Sequence, residues 1–285
     1  MKQLILDVGG TYIKYAYFVD EKVTVGSFPV VDNNGHEDVP NALKKFLKNY
    51  QVDEIGVSMP GPFDFASGIS YMDFKLPSIY KKNLKKIFTD IFPNAKILFI
   101  HDAVAFALGA LEENPKLKKE NAMVIMLGTG LGYGYLDHGR VLVNESKTTT
   151  PDLGRTPYWQ PGKYVENFAS ATALLRFAKQ IGYDFKYVKD MAEAAKTDKR
   201  LQDIFHEVGI ILGKVMSEQQ KKYRYSYLMI GGGVSKSWPL FKDGFELTNK
   251  VAYQIIKDST MCPINGVRLA LKLNNEKQYL KFVNE

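Results

Sequence analysis

Cysteine is almost absent: Cys262 is the only one in 285 residues, which excludes an internal disulfide and any cysteine-rich zinc site. Long apolar runs are missing as well, and nothing approaches the ~18 consecutive apolar residues that a membrane span needs. The opening MKQLILDVGG offers one lysine and the short apolar run Leu4-Ile5-Leu6 before Asp7, too little for the apolar region of a secretory leader. A cytoplasmic protein that does not engage a membrane is therefore expected. No segment supplies the G-x-x-x-x-G-K-[ST] phosphate loop. The glycines at 128, 130, 132 and 134 are spaced by two and continue into strand, unlike the G-x-G-x-x-G of a dinucleotide site, which opens a helix.

What is present is ordinary globular material in a quantity that suits two lobes. Apolar residues make up 45% and charged residues 24%, so neither disorder nor a membrane class is indicated. The formal charge of +7 comes from 38 basic and 31 acidic residues. The lysines cluster in KKFLK, KKNLKK, KLKKE and KKYRY, blocks that read as solvated helix faces. Only Tyr223 and Tyr225 beside Lys222 and Arg224 interleave aromatics with charge as a single-strand binder would. No nucleic-acid partner is expected.

Along the chain, 4–19 reads as a strand, a tight turn and a returning strand, 54–59 as a strand ending at Pro60-Gly61-Pro62, and 95–100 as another strand. Asn41 to Tyr50 has helical spacing, and Asp102 opens the alanine-rich DAVAFALGALEE as a helix N-cap. The segment 122–143 repeats the opening: strand, glycine-threonine turn, strand, turn, strand. Helices are expected over 165–180, 190–195 and 201–222, a strand over 227–230, and an amphipathic closing helix near 275–285. The duplication suggests two related α/β lobes: 1–101 joined by the terminal helix, and 102–274.

Three glycine turns carry the chemistry, each following an apolar strand: Asp7-Val8-Gly9-Gly10-Thr11 with Lys14, Gly128-Thr129-Gly130, and Gly231-Gly232-Gly233. A glycine turn lets backbone N–H groups approach phosphate oxygens, because no Cβ intervenes and positive φ is allowed. One such turn is an ordinary hairpin; three in order point to a nucleotide. Two hairpin turns facing each other across a cleft would hold β- and γ-phosphates from opposite sides.

With D-x-G-G-T-x-x-K at Asp7 to Lys14, the Pro60-Gly61 turn, Asp102-Ala103 opening a helix, G-T-G-x-G at Gly128 to Gly132 and the glycine triplet, the chain resembles the ROK sugar kinases. The landmarks run in family order over nearly the whole length. The resemblance implies the two-lobed actin/hexokinase-like ATPase fold with a cleft between lobes, a homodimer, and transfer of the γ-phosphoryl of ATP to a sugar hydroxyl with Mg²⁺. Asp102 matches the family's general base, and a carboxylate at a helix N-terminus stays charged and able to accept a proton. Asp7 matches the residue that orients Mg²⁺ through its water shell. Gly9, Gly10, Thr11, Gly128, Thr129 and Gly130 match the phosphate hairpins, and Gly232 and Gly233 the adenosine side. Lys14 reads either as a phosphate contact or as a solvated strand residue.

The sugar shell departs from the family pattern. Gly61 and Asp102 are in place, but His101 stands where the family has a sugar-binding asparagine, and the G-E-x-G-H segment corresponds to Pro151-Asp152-Leu153-Gly154-Arg155. The cysteine cluster that normally follows is replaced by YWQPGKY, so no zinc is expected, as in the N-acetylmannosamine and β-glucoside kinase branches. Arg155 adds a fork of donors for a carboxylate, a phosphate or Asp152. Glu166 reads either as a sugar contact or as a helix-dipole residue. A site built to bond each hydroxyl rejects analogues that leave its polar groups unpaired, so plain glucose is not the expected substrate. The competing reading is a non-catalytic sugar or nucleotide sensor. A repressor is disfavoured because the first phosphate turn comes at Asp7, which leaves no room for a preceding helix-turn-helix.

Overall fold

The computed structural model describes residues 1–10, 12–30, 38–73, 76–150, 153–159 and 161–284. Thr11 and Asp152, both candidate site residues, lie outside them. The chain forms two compact units: Met1–Glu112 with Val143–Thr149 and Met261–Glu285, and Glu113–Leu142 with Thr150–Thr260.

In the first unit, β1 (Lys2–Val8), β2 (Tyr12–Val19) and β3 (Lys22–Pro29) form an antiparallel meander. After α1 (Val39–Leu47), β4 (Glu54–Met59) returns parallel to β1. A small ribbon of β5 (Phe63–Asp64) and β6 (Ile69–Ser70) and then α2 (Leu84–Ile91) lead to β7 (Lys96–His101), parallel to β4. The sheet order is β3-β2-β1-β4-β7. β1 and β4 are buried almost throughout, as strands covered on both faces must be. Leu4, Leu6, Ile55, Val57, Leu43 and Phe88 belong to one apolar core. α3 (Asp102–Glu113) follows β7 directly and is buried from Ala103 to Leu111.

The second unit repeats this order. β8 (Asn121–Leu127), β9 (Leu131–Asp137) and β10 (Arg140–Val143) form a meander. α4 (Ala171–Gln180), α5 (Val188–Ala194) and α6 (Lys199–Tyr223) precede β11 (Tyr227–Gly231), which lies parallel to β8. α7 (Trp238–Thr248) then leads to β12 (Ala252–Ile255), parallel to β11. Within its six-stranded sheet the order β10-β9-β8-β11-β12 mirrors that of the first sheet, so the repeat seen in the glycine-threonine turns is a repeat of the whole βββ-α-β-α-β pattern.

α8 (Cys262–Leu273) belongs to the first unit, where Val267 and Leu271 reach Gly56 of β4. It crosses α3 at close range: a Cβ on Gly109 would strike the Cys262 carbonyl, and one on Gly266 the Ala105 carbonyl. The closing helix expected near 275–285 is not formed. Asn274, at φ 53, ends α8 in the left-handed region, Asn275 caps a single 3₁₀ turn at Glu276–Gln278, and β13 (Leu280–Phe282) follows. Val283 N donates to Val143 O at 3.1 Å, so inter-strand pairing captures a segment too short to be a stable helix by itself. α3, α8 and 143–149 belong to the first unit. Among the described residues no helix is long and apolar enough to cross a membrane.

Candidate functional site

Parallel strands end with their carbonyl-side loops gathered at one edge, which is where open α/β sheets place their ligands. In the first unit that edge collects Asp7 at the end of β1, Gly61 just after β4, and His101-Asp102 where β7 passes into α3. Asp7 lies opposite Lys14 on β2 and opposite Ser58 on β4, so the three side chains form one row on one face of the sheet. Fully buried Ser58 donates its hydroxyl to Asp7 Oδ1 at 2.8 Å. The Gly9-Gly10 turn is closed by Gly9 N donating to Tyr12 O at 3.0 Å, which leaves Gly10 at the exposed tip.

Asp102 begins α3, and its Oδ1 accepts from Ala103 N at 2.7 Å. This ties the carboxylate to the N-terminal end of the helix. His101 Nε2 lies 3.4 Å from the same Oδ1. A Cβ on Gly61 would come within 3.8 Å of the His101 ring, so Gly61, His101 and Asp102 are neighbours.

In the second unit the Gly128-Thr129-Gly130 turn is closed by Gly128 N donating to Gly130 O at 3.0 Å. α4 braces it. Ala171 N donates to Gly128 O at 2.8 Å, Thr172 N to Thr129 O at 3.4 Å, and Thr172 Oγ1 to Thr129 O at 2.9 Å. Ala173 N bonds the Ser170 cap at 3.1 Å and Leu174 N bonds Ser170 O at 3.0 Å. Three orphan N–H groups of this helix start, on Ala171, Thr172 and Ala173, are thereby spent, which makes α4 a strut for the hairpin rather than an anion site of its own. Glu166 sits beside the turn: its Oε2 would be 2.9 Å from a Cβ on Gly130. Glu166 N donates to Gly154 O at 3.1 Å, so Glu166 and exposed Arg155 share the stem of one hairpin.

Gly232 follows β11, at φ 94, with its N–H donating to Ser259 Oγ at 2.9 Å. A Cβ there would collide with the Leu127 carbonyl, so this turn packs directly behind the strand that leads into Gly128. Exposed Gly233 borders a recess of about 730 Å³ lined by Val188 and Ala192 of α5 and by Lys236, Pro239 and Leu240, within the size range of small-ligand sites.

Three contributors were not identified in the sequence: Ser58, Thr172 and Ser259. Each is a hydroxyl whose partner lies 27 to 51 residues away, so no local motif marks it. Among the described residues no group of three or more His, Cys, Asp or Glu side chains could hold a metal ion.

The glucokinase of Halalkalibacterium halodurans is 25% identical over 273 residues, covering 81% of this chain and 80% of that protein. Two crystal structures share the fold: a ROK family glucokinase from Streptomyces griseus in complex with glucose and AMPPNP, and a ROK family protein from Streptococcus pneumoniae in complex with sucrose. The first has a TM-score of 0.78 and 19% identity over 95% of this chain and 100% of that one. The second has a TM-score of 0.80 and 20% identity over 98% and 100%. Residues 4–266 match the ROK family, and with this span covered the chain belongs to that family.

Proposed function

We propose that this chain is an ATP-dependent sugar kinase that phosphorylates the 6-hydroxyl of a hexose, an amino sugar or a β-glucoside. The observation that carries the reading is the placement of Asp102: a partly buried carboxylate at the carboxyl end of a parallel strand, bonded to the first N–H of α3, in a family whose similar members include glucokinases.

In this reading Asp102 accepts the proton of the attacking hydroxyl. The sugar oxygen bonds to the γ-phosphorus, the bond from that phosphorus to the β–γ bridging oxygen breaks, and its electron pair leaves with ADP. Phosphoryl transfer needs positioning and charge neutralisation more than covalent help from the protein. Gly9, Gly10, Thr11, Lys14, Gly128, Thr129 and Gly130 would serve the phosphates. Gly232, Gly233 and the recess beside them would take the nucleoside. Gly61, His101, Asp152, Arg155 and Glu166 would contact the sugar.

Mg²⁺ would enter with the nucleotide. A single carboxylate at Asp7, held by Ser58, fits a metal met through its water shell, because magnesium keeps several waters and takes one or two carboxylates besides phosphate. When bound it would neutralise charge on the β- and γ-phosphates. Family resemblance also supports a homodimer, which sedimentation would report as twice the 32.2 kDa of one chain.

The deciding experiment follows ADP release over a panel of hexoses, amino sugars and β-glucosides, with Asp102→Asn as control. Turnover with at least one sugar, lost in the control, is expected. Sugar and nucleotide binding without turnover on any sugar would favour the sensor instead.

A further inference from the structure

His101 stands where the family resemblance implies an asparagine, and its surroundings constrain where its proton sits. The ring lies at the end of β7 with its side chain 16% exposed, and Phe65 meets it edge-on at a centroid distance of 5.9 Å. Nδ1 is buried and has no hydrogen-bond partner among the described residues. Nε2 is 3.4 Å from Asp102 Oδ1, longer than an ordinary bond but typical of catalytic contacts that tighten when substrate binds.

A neutral imidazole carries one N–H and one bare nitrogen. Burying an N–H with no acceptor forfeits its hydrogen bond to water, whereas a bare lone pair in the same position loses less. The proton therefore belongs on Nε2, beside the carboxylate. We propose that His101, with its N–H on Nε2, positions the Asp102 carboxylate: with Ala103 N on the same oxygen, it fixes Oδ1 and leaves Oδ2 to take the proton of the sugar hydroxyl. The ring steadies the carboxylate through this contact and transfers no proton itself. This role rests on the kinase reading above and assigns to His101 a function other than the sugar contact implied by family resemblance.

The titratable and charged groups around the ring are Asp102 on α3, Lys147, and Glu276 and Tyr279 from the C-terminal segment. Lys147 and Glu276 are bonded to each other at 2.8 Å, so they neutralise one another, and among these described groups Asp102 is left as the unbalanced charge beside the imidazole.

Two measurements on the full chain test the assignment. In isotope-labelled protein, a long-range proton–nitrogen correlation spectrum reports each histidine tautomer, and His101→Asn identifies the signal among the four histidines. With the spectrum recorded at a pH where the ring is singly protonated, a protonated Nε2 with bare Nδ1 is expected; a protonated Nδ1 there overturns the proposal. In kinetics, His101→Leu should lower kcat by about tenfold or more with KM for ATP unchanged. His101→Gln, which restores an N–H near the Nε2 position, should recover most of the loss. A purely structural role would lower Tm in both variants without this split, and a kcat in His101→Leu within about twofold of wild type sinks the idea. If the wild-type chain turns over no sugar, it is the kinase reading that fails, and the tautomer spectrum still judges His101.

Discussion

At the scale of single residues, Asp102 and Ser58 make the sharpest tests. Asp102→Asn keeps a side-chain oxygen for Ala103 N but cannot take a proton. It should preserve Tm while lowering kcat by about 10² to 10⁴, the range typical of a general base. Ser58→Ala removes the buried hydroxyl from Asp7 Oδ1, which should cost about 1 to 3 kcal/mol because the acceptor is charged, and should raise the Mg²⁺ concentration needed for half-maximal rate. Denaturant melts and a magnesium titration check both effects. Residues of the first kind are legible in a sequence because an aspartate between a strand and an alanine-rich helix is a local pattern. Ser58 is not, because only the register of β4 against β1 brings it to Asp7.

At the scale of elements, α3 and α8 approach so closely that backbone atoms meet at Gly109 and Gly266. Gly266→Ala must push a helix away rather than a flexible side chain, so a loss of about 1 to 3 kcal/mol or more is expected in chemical denaturation. This helix is hard to read in advance: Pro263 and Gly266 look like breakers, yet the proline occupies the first turn, where its missing N–H costs nothing, and the glycine is the point of contact. α2 was hidden for a different reason. Its lysines read as a solvated run, but Leu84 and Phe88 are buried beneath them.

The long helix α6 begins at Asp198, whose side chain accepts from Arg200 N at 3.0 Å. Side-chain bonds from Arg200 and then Tyr183 hold its carboxyl at about 2, below the ordinary 3.8. A carboxyl held down in the folded state contributes stability that is complete above 3.8 and disappears as pH falls from there to about 2. Asp198→Asn should therefore flatten the fall of Tm over that acid window, which a series of melts would reveal; an unchanged slope would count against the pairing.

For the whole molecule, the two units carry distinct core clusters, and the recess beside Gly233 lies within the second unit. A non-hydrolysable ATP analogue at roughly a hundred times its dissociation constant should stabilise the chain by about 2.7 kcal/mol. Ala192→Trp, which fills the recess from α5, should abolish that gain while leaving the ligand-free melt nearly unchanged. Equal stabilisation of the variant would remove the nucleoside from this recess.

The sequence by itself determined the internal repeat, the glycine turns that end its strands and the aspartate that opens α3, because turns and helix starts are written in a few consecutive residues. It likewise determined the family through the order of those landmarks. Tertiary structure alone decided that Ser58 holds Asp7, that α4 spends its first N–H groups bracing the Gly128 turn, and that the chain ends in a strand beside Val143. It also decided which nitrogen of His101 faces Asp102. Each of these depends on partners brought together by strand register and helix packing, and a one-residue slip in register would turn the side chains to the opposite face of the sheet.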